Sequence, residues 1–172
     1  MSAATYRACF PNLTTINTYN SGISNYNPTV TIFGSSSKIV TVTRIQVNTI
    51  NGTPQQSEFG LSPLSAVYVG GTSAALNAVP LVESSAAATA TPLSWTAGPT
   101  SGGGAFVGYL EFISLLSQGT GPIVPSANCL YDSAYGKDGG QQIILNGAGE
   151  GLNLFFADNV VTIQGFIEWT EE

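Results

Sequence analysis

Few residues of this sequence could perform acid–base or metal chemistry. The chain of 172 residues has no histidine and only four cations, Arg7, Lys38, Arg44 and Lys137, against ten Asp and Glu residues. Histidine is the usual general base near neutral pH and the commonest transition-metal ligand. Its absence removes the residue on which Ser-His, Cys-His and His-metal sites depend. We therefore predict that the chain is not an enzyme and that it needs no cofactor or metal.

The acidic residues offer two weaker possibilities. Glu58, Glu83 and Glu111 have the side chain that glycoside hydrolases use in pairs, but no spacing singles out two of them. Asp132 and Asp138 could flank a calcium loop, but the dense acidic pattern of an EF-hand is absent. Solvated carboxylates are the better interpretation of both sets.

The segment GAGEGL, residues 147–152, could be mistaken for a phosphate-binding loop. It lacks the spacing of a P-loop or of a dinucleotide-binding fingerprint, and no helix is indicated after it. The glycines therefore predict a tight turn.

Cys9 and Cys129 are the only cysteines, and their separation fits neither a redox pair nor a zinc site. Two small buried thiols are the default interpretation. A disulfide between them would close a long loop and add about 4 kcal/mol in the chain-entropy model. The sequence leaves both possibilities, and hence the redox compartment, open.

Charge and hydropathy exclude two classes of partner. The formal net charge is −6, and four dispersed cations cannot form the basic stripe that nucleic acid requires. The same shortage argues against an anionic membrane surface. No apolar run reaches the length of a membrane span, and the N-terminus has no signal-peptide pattern. We expect a product that is made in the cytoplasm and not exported by the ordinary route.

The elements that must position any site are predicted to be strands. Gly, Ser, Thr, Asn and Ala are abundant, strong helix formers are scarce, and only 8% of the residues are charged. About eight alternating segments, spaced about ten residues apart and divided by Gly and Asn turns, predict an antiparallel β-sandwich or barrel. We assign this domain to residues 29–172, and residues 1–28 to an irregular N-terminal arm or edge.

Two strand segments carry particular signals. Residues 38–50 place Val40 and Val42 on one face but Ile45 and Val47 on the other, which predicts a β-bulge or a change of sheet near residues 43–44. Residues 62–71 are apolar on both faces, which indicates burial on both sides or a partner surface.

The C-terminal segment has the cleanest alternation. Val161, Ile163, Ile167 and Trp169 share one predicted face. The acidic residues at the end of the chain, from Glu168 onward, read as a solvated terminus or, alternatively, as a site for a basic partner.

Three segments together resemble a known family. KIVTVTRIQV (38–47), SPLSAVYVGGTSAALNAVPL (62–81) and QIILNGAGEGLNLFFADNVVTIQGFIEWTEE (142–172) are similar to the small jelly-roll head proteins of tailed bacteriophages, of the capsid decoration or cement type. The resemblance covers about two thirds of the chain. It implies a jelly-roll structural protein of the virion, made in the host cytoplasm, that forms homotrimers on the phage head and strengthens contacts between major capsid protein subunits.

Aromatic residues are the candidate contacts in both functional hypotheses. In the alternative, a carbohydrate-binding jelly roll of a tail fibre or surface protein, Trp95 and nearby tyrosines would stack on sugar rings. Trp95 lies in a predicted loop, residues 92–99, where it is either pinned over a local apolar patch or a binding anchor. The candidate interface residues are Tyr6, Phe10, Tyr19, Tyr26, Tyr68 and Trp95.

Overall fold

The protein is all-β. The computed structural model describes residues 3–50, 55–117, 128–133, 142–158 and 160–172, and no helix occurs in these ranges. None of them therefore contains a helix that could cross a membrane. The strands in chain order are β1 (Ala4–Thr14), β2 (Tyr19–Asn20), β3 (Asn25–Tyr26), β4 (Pro28–Phe33), β5 (Val40–Thr49), β6 (Gln55–Leu64), β7 (Tyr68–Val69), β8 (Thr72–Ala75), β9 (Ala78–Pro80), β10 (Thr91–Ala97), β11 (Ser101–Gly102), β12 (Glu111–Ser117), β13 (Asn128–Asp132), β14 (Ile143–Leu145), β15 (Gly151–Phe156) and β16 (Thr162–Glu171).

Most strands belong to two antiparallel sheets, as the alternating sequence pattern predicted. Sheet 1 has the order β13-β5-β16-β1-β9, and β14 pairs with β5 beside β13. Sheet 2 has the order β12-β6-β15-β4-β10-β8. The pairs β2-β3 and β7-β11 form two short separate ribbons.

Along the chain, the strands of the sandwich alternate between the sheets, except that β6 and β12 both lie in sheet 2. β1 and β5 lie in sheet 1, β4 and β6 in sheet 2; after β12 in sheet 2, β13 and β14 lie in sheet 1, β15 in sheet 2 and β16 in sheet 1. Strands β8 to β10 are inserted between β6 and β12, and they extend both sheets on the side of β1 and β4.

The hydrophobic core fills the space between the two sheets. From sheet 1, the predicted inward face of β16 is confirmed, because Val161, Ile163, Ile167 and Trp169 are at most 1% exposed. From sheet 2, alternate residues of β4 and β15 meet them. Burial of apolar area of this extent is the main stabilising contribution to such a sandwich.

The predicted bulge in β5 is also confirmed. Val40, Val42, Ile45 and Val47 are all fully buried although their parity changes. In the pairing of β5 with β16, Arg44 is opposite Glu168 and Val42 is opposite Trp169, so one extra residue of β5 stands between two paired ones. The extra residue restores a common core face.

The N-terminal segment differs from the prediction. β1 is an 11-residue strand inside sheet 1, paired with β16 from Ala4, opposite Glu171, to Thr14, and paired with β9 on its other edge. An irregular arm over residues 1–28 is therefore wrong for β1, and the sandwich does not begin at residue 29. The turn signal at Pro11–Asn12 is a register shift within the strand, where Asn12 has a φ of 52°.

Candidate interaction surface

A further layer of chain covers the outer face of sheet 2. β4 and β15 are buried on both faces, which a two-layer sandwich alone would not produce. We call residues 19–26, 65–71 and 98–110 the outer layer. Asn25 Nδ2 donates to Ser62 Oγ of β6 at 2.8 Å, and the Tyr26 ring stacks on Phe155 of β15 with centroids 5.5 Å apart.

An asparagine network holds the first part of this layer. Asn20 Nδ2 donates both to Asn27 Oδ1 at 2.9 Å and to the Pro99 carbonyl at 2.7 Å, while Asn20 Oδ1 accepts from the Gly22 N–H. Asn27 Nδ2 donates to Thr18 Oγ1. Two paired residues per strand are too few to be stable alone, so the short ribbon of β2 and β3 depends on these side-chain amides.

Four aromatic side chains of the outer layer form a surface cluster, which we call the tyrosine patch: Tyr19, Tyr26, Phe106 and Tyr109. Tyr19 meets Tyr26 edge-on at 5.5 Å, and Phe106 meets Tyr109 at 4.9 Å between centroids. Phe155 lies beneath, 5.2 Å from Tyr109. Tyr19, Tyr109 and Phe106 are 59%, 44% and 37% exposed, so the patch presents aromatic rings to the surroundings. Exposed apolar clusters of this kind mark interaction sites.

The phenols of the patch influence one another. Partial burial raises the pKa of the Tyr109 phenol, and the neighbouring Tyr26 and Tyr19 phenols raise it further. The Tyr109 hydroxyl is therefore neutral at physiological pH, and it can donate a hydrogen bond to a partner.

The described cations lie on the other side of the molecule. Of the Lys and Arg residues that the structure describes, all belong to sheet 1 or to the turn before β5. In the strand register, Arg7, Glu168, Arg44 and Asp132 follow one another across sheet 1, with a 2.7 Å ion pair between the first two and one of 3.6 Å between the last two. The Arg7 guanidinium also lies 4.4 Å from the Phe166 ring centroid. We call this row the charged ladder.

The sequence predicted a solvated acidic terminus, but two of its acidic residues make contacts within the fold. Glu168 belongs to the charged ladder, and Glu171 is only 2% exposed. Burial would raise the pKa of Glu171, but hydrogen bonds from the Ala90 and Thr89 N–H groups, the Trp169 indole and the Thr89 hydroxyl lower it below its ordinary value. Lys38 Nζ lies 3.6 Å from the same carboxylate.

The six predicted interface residues separate into three groups. Tyr6 and Phe10 are fully buried core residues of β1, and the Tyr6 hydroxyl donates to the Ala86 carbonyl; they are not a surface anchor, which corrects that expectation. Tyr19 and Tyr26 belong to the tyrosine patch. Phe106 and Tyr109 were not among the predicted interface residues; they lie in the loop before β12, which begins at Glu111.

Tyr68 and Trp95 form a second aromatic cluster with Phe33. The Tyr68 ring meets Trp95 edge-on at 5.7 Å and Phe33 at 6.4 Å. Trp95 lies in β10 rather than in a loop, is 3% exposed, and donates its indole N–H to Thr31 Oγ1 at 3.0 Å. The ring is therefore pinned against sheet 2 and is not an exposed stacking platform.

The other residues that the sequence analysis considered for phosphate or metal binding do not come together at one site. Residues 147–149 form the predicted turn, in which the Glu150 N–H donates to the Gly147 carbonyl. Asp132 pairs with Arg44, while Asp138 lies outside the described residues. In the described ranges, no three His, Cys, Asp or Glu side chains are grouped to hold a metal ion.

The strand register also decides the cysteine question. Cys9 is opposite Phe166, Phe166 is opposite Gln46, and Gln46 is opposite Cys129. Three strand spacings separate the two cysteines, about 14 Å. A disulfide requires Cα atoms less than about 7 Å apart, so this pair cannot form one without rearranging sheet 1. Cys9 is a free, exposed thiol.

The outer layer on sheet 2 thus forms an uncharged aromatic surface, whereas sheet 1 carries the charged ladder. Comparison of the chain with protein-family models, with curated proteins and with solved structures found no match.

Proposed function

We propose that this protein is a structural component of a bacteriophage virion that decorates or cements the head, without catalysis, through contacts of the tyrosine patch with the major capsid protein. It would act as a homotrimer on the assembled head, after synthesis in the host cytoplasm. The observation that carries the proposal is the exposed aromatic patch on a face that has no described cation.

Two features support a role in protein–protein contact. Aromatic residues are enriched at interfaces, and tyrosine and tryptophan dominate their binding energy, whereas charged residues are depleted from interface centres. The patch combines three tyrosines and a phenylalanine over a buried ring, Phe155. Its asparagine-fixed backbone would lose little conformational entropy on binding.

The strand order supports a viral origin more weakly. When the inserted strands β8 to β10 and the two short ribbons are left out and β13 and β14 are counted as one, eight strands remain, and sheet 1 has the order six-three-eight-one and sheet 2 the order five-four-seven-two. We infer from this order a double Greek key, the jelly roll that recurs in viral capsid and lectin domains. A fold alone does not establish function.

A co-sedimentation assay tests the proposal. Purified protein is mixed with phage heads that were assembled without it, and the bound fraction is measured after centrifugation. We expect saturable binding, and a loss of at least about tenfold in affinity for the double variant Tyr19→Ala, Tyr109→Ala. Val79→Ala, a 49% exposed residue on β9 of sheet 1, is the matched control and should bind normally.

Sedimentation equilibrium of the isolated protein tests the homotrimer. A protein that is monomeric at all concentrations and does not bind heads would contradict the proposal. If the patch variant binds heads as well as the original protein, the capsid role would stand, but the contact would lie on another surface.

A further inference from the structure

A groove opens beside the second aromatic cluster, on the part of sheet 2 nearest β8. It has a volume of about 440 Å³ and lies between β4, β10, β8 and the β7 segment of the outer layer. This volume falls within the range of about 300–1,000 Å³ that is typical of small-molecule sites. The groove is separate from the tyrosine patch, and none of the residues that line it belongs to the patch.

One side of the groove is aromatic. Phe33, Tyr68 and Trp95 line it, and each is held in place by the fold. The Trp95 indole is fixed by its hydrogen bond to Thr31. The Tyr68 ring packs against Gly103, where an added Cβ would lie 2.6 Å from Tyr68 Cε1. The aromatic wall is therefore preorganised, which lowers the entropy cost of binding.

Hydroxyl groups beside these rings also line the groove. Ser36, Ser73 and Thr91 are exposed, contribute to the lining, and can each both donate and accept hydrogen bonds. The Tyr68 hydroxyl also makes no hydrogen bond to another described residue. Because burial raises the pKa of this phenol, it stays protonated at physiological pH and can donate to a ligand.

The described residues that line the groove include none that is charged. An ionic ligand would lose hydration there without gaining an ion pair, which is unfavourable. A ligand with many hydroxyls and one apolar face would match this lining, with its C–H groups against the rings and its hydroxyls against the Ser and Thr side chains.

We propose that this groove is a binding site for a neutral saccharide. The site differs from a stacking platform on Trp95 alone, since Tyr68 presents the accessible part of the aromatic wall. The proposal does not depend on attachment to a phage head.

Ligand-observed NMR and calorimetry on the full chain test the site. The probes are neutral oligosaccharides of glucose, galactose, mannose, N-acetylglucosamine and N-acetylgalactosamine, with sialylated and sulfated counterparts. We expect saturable binding of at least one neutral probe, in the micromolar to millimolar range, and no preference for its acidic counterpart.

Three variants locate the binding. Ser73→Trp fills the groove from an exposed position opposite Trp95 and should weaken binding at least about tenfold. Thr72→Trp adds the same side chain on the same strand outside the lining, and it should bind within about twofold of the original. Tyr68→Phe keeps the ring and removes the hydroxyl, so we expect about three- to tenfold weaker binding.

Three results would overturn the proposal: no saturable binding of any neutral probe, stronger binding of the acidic counterparts, or unchanged binding by Ser73→Trp. If circular dichroism shows that Ser73→Trp does not fold, Tyr68→Phe becomes the test. Unchanged binding by Tyr68→Phe would then exclude the groove as the saccharide site.

Discussion

The carboxylate of Glu171 ties the segment between β9 and β10 to the last strand of sheet 1. It accepts hydrogen bonds from Thr89, Ala90 and Trp169 at 2.7 to 3.0 Å, and Lys38 lies nearby. Tyr6 adds a second tie to the same segment through the Ala86 carbonyl. Two residues of sheet 1 thereby hold a region that is rich in small side chains and has little hydrophobic area of its own.

Replacing Glu171 by glutamine should destabilise the protein. In Glu171→Gln an NH₂ group would face several N–H donors and Lys38 would lose its partner, so we expect a loss of about 2–4 kcal/mol in the free energy of unfolding. Urea denaturation measures this quantity. Glu172→Gln, at the exposed neighbouring position, should change it by less than about 0.5 kcal/mol. Equal effects of the two variants would show that the hydrogen bonds of Glu171 contribute nothing particular.

The same carboxylate predicts a pH dependence. Because the pKa of Glu171 is lower in the folded chain than the ordinary value of 4.5, its stabilising effect is complete above that value and declines as the pH falls through the folded pKa. The difference in melting temperature between the original protein and Glu171→Gln should therefore narrow below about pH 4.5. Thermal melts from about pH 3 to about pH 7 measure it, and a constant difference would contradict the assignment.

Asn153 is a buried polar residue that lies between Thr31 of β4 and Ser62 of β6 in the strand register. It is fully buried between sheet 2 and the outer layer, and neither Oδ1 nor Nδ2 has a hydrogen-bond partner among the described residues. Replacement by valine removes two unsatisfied atoms, so Asn153→Val should raise the free energy of unfolding by about 1 kcal/mol. Urea denaturation measures this free energy. A marked loss of stability would mean that the Asn153 amide forms hydrogen bonds in solution.

At the scale of the element, β16 depends on one glycine. A Cβ at Gly165 would lie 2.0 Å from the Gln46 carbonyl of β5 and 2.8 Å from the Phe10 ring. Gly165→Ala must therefore separate β16 from β5 or displace the Phe10 ring, and we expect a loss of about 3 kcal/mol or a failure to fold.

Gly149 is the matched control for this substitution. The nearest atom to a Cβ there is 3.9 Å away, so Gly149→Ala should change stability by less than about 1 kcal/mol. Thermal unfolding of both variants tests the pair, and similar melting temperatures would contradict the close approach of β5 and β16.

Features of single strands were predictable where branched apolar residues showed which face of the strand is buried. The shift from Val40 and Val42 to Ile45 and Val47 identified the bulge in β5 correctly. In β1 only Tyr6, Ala8 and the ring at position 10 alternate before Pro11–Asn12, which resembles a turn. The sequence cannot indicate that β16 and β9 pair with both edges of this strand, because that pairing joins distant parts of the chain.

The tyrosine patch was only half predictable for a related reason. Tyr19 and Tyr26 were selected as exposed anchors from a segment without a period. Phe106 and Tyr109 reach them from a loop about 80 positions away in the sequence. Three consecutive glycines with positive φ, residues 102–104, precede that loop and were the available signal that the chain turns there rather than continuing into a strand.

At the scale of the whole molecule, the two outer surfaces differ in character. Sheet 1 has the charged ladder, and sheet 2 is covered by the uncharged aromatic outer layer. Composition alone could not separate these surfaces, because it counts charges without locating them. If the tyrosine patch is the contact with the capsid, hydrophobic burial rather than ion pairing supplies the affinity.

Binding to phage heads should therefore be insensitive to salt. Raising NaCl from about 0.1 M to about 1 M shortens the Debye length from about 10 Å to about 3 Å, which would weaken an interface based on exposed charges. We expect affinity in the co-sedimentation assay to change less than about twofold over this range. Arg44→Ala, in the charged ladder, should likewise bind normally. A loss of tenfold or more at high salt would instead implicate the surface of sheet 1.

The pairing of Ala4 with Glu171 brings the two ends of the described chain side by side on sheet 1. A reporter domain or peptide epitope fused at either end would leave the sandwich from nearly the same point, on the sheet opposite the tyrosine patch. A short flexible linker could also join the ends into a circle. If the tyrosine patch is the contact with a head, cargo attached there would lie on the sheet away from that contact.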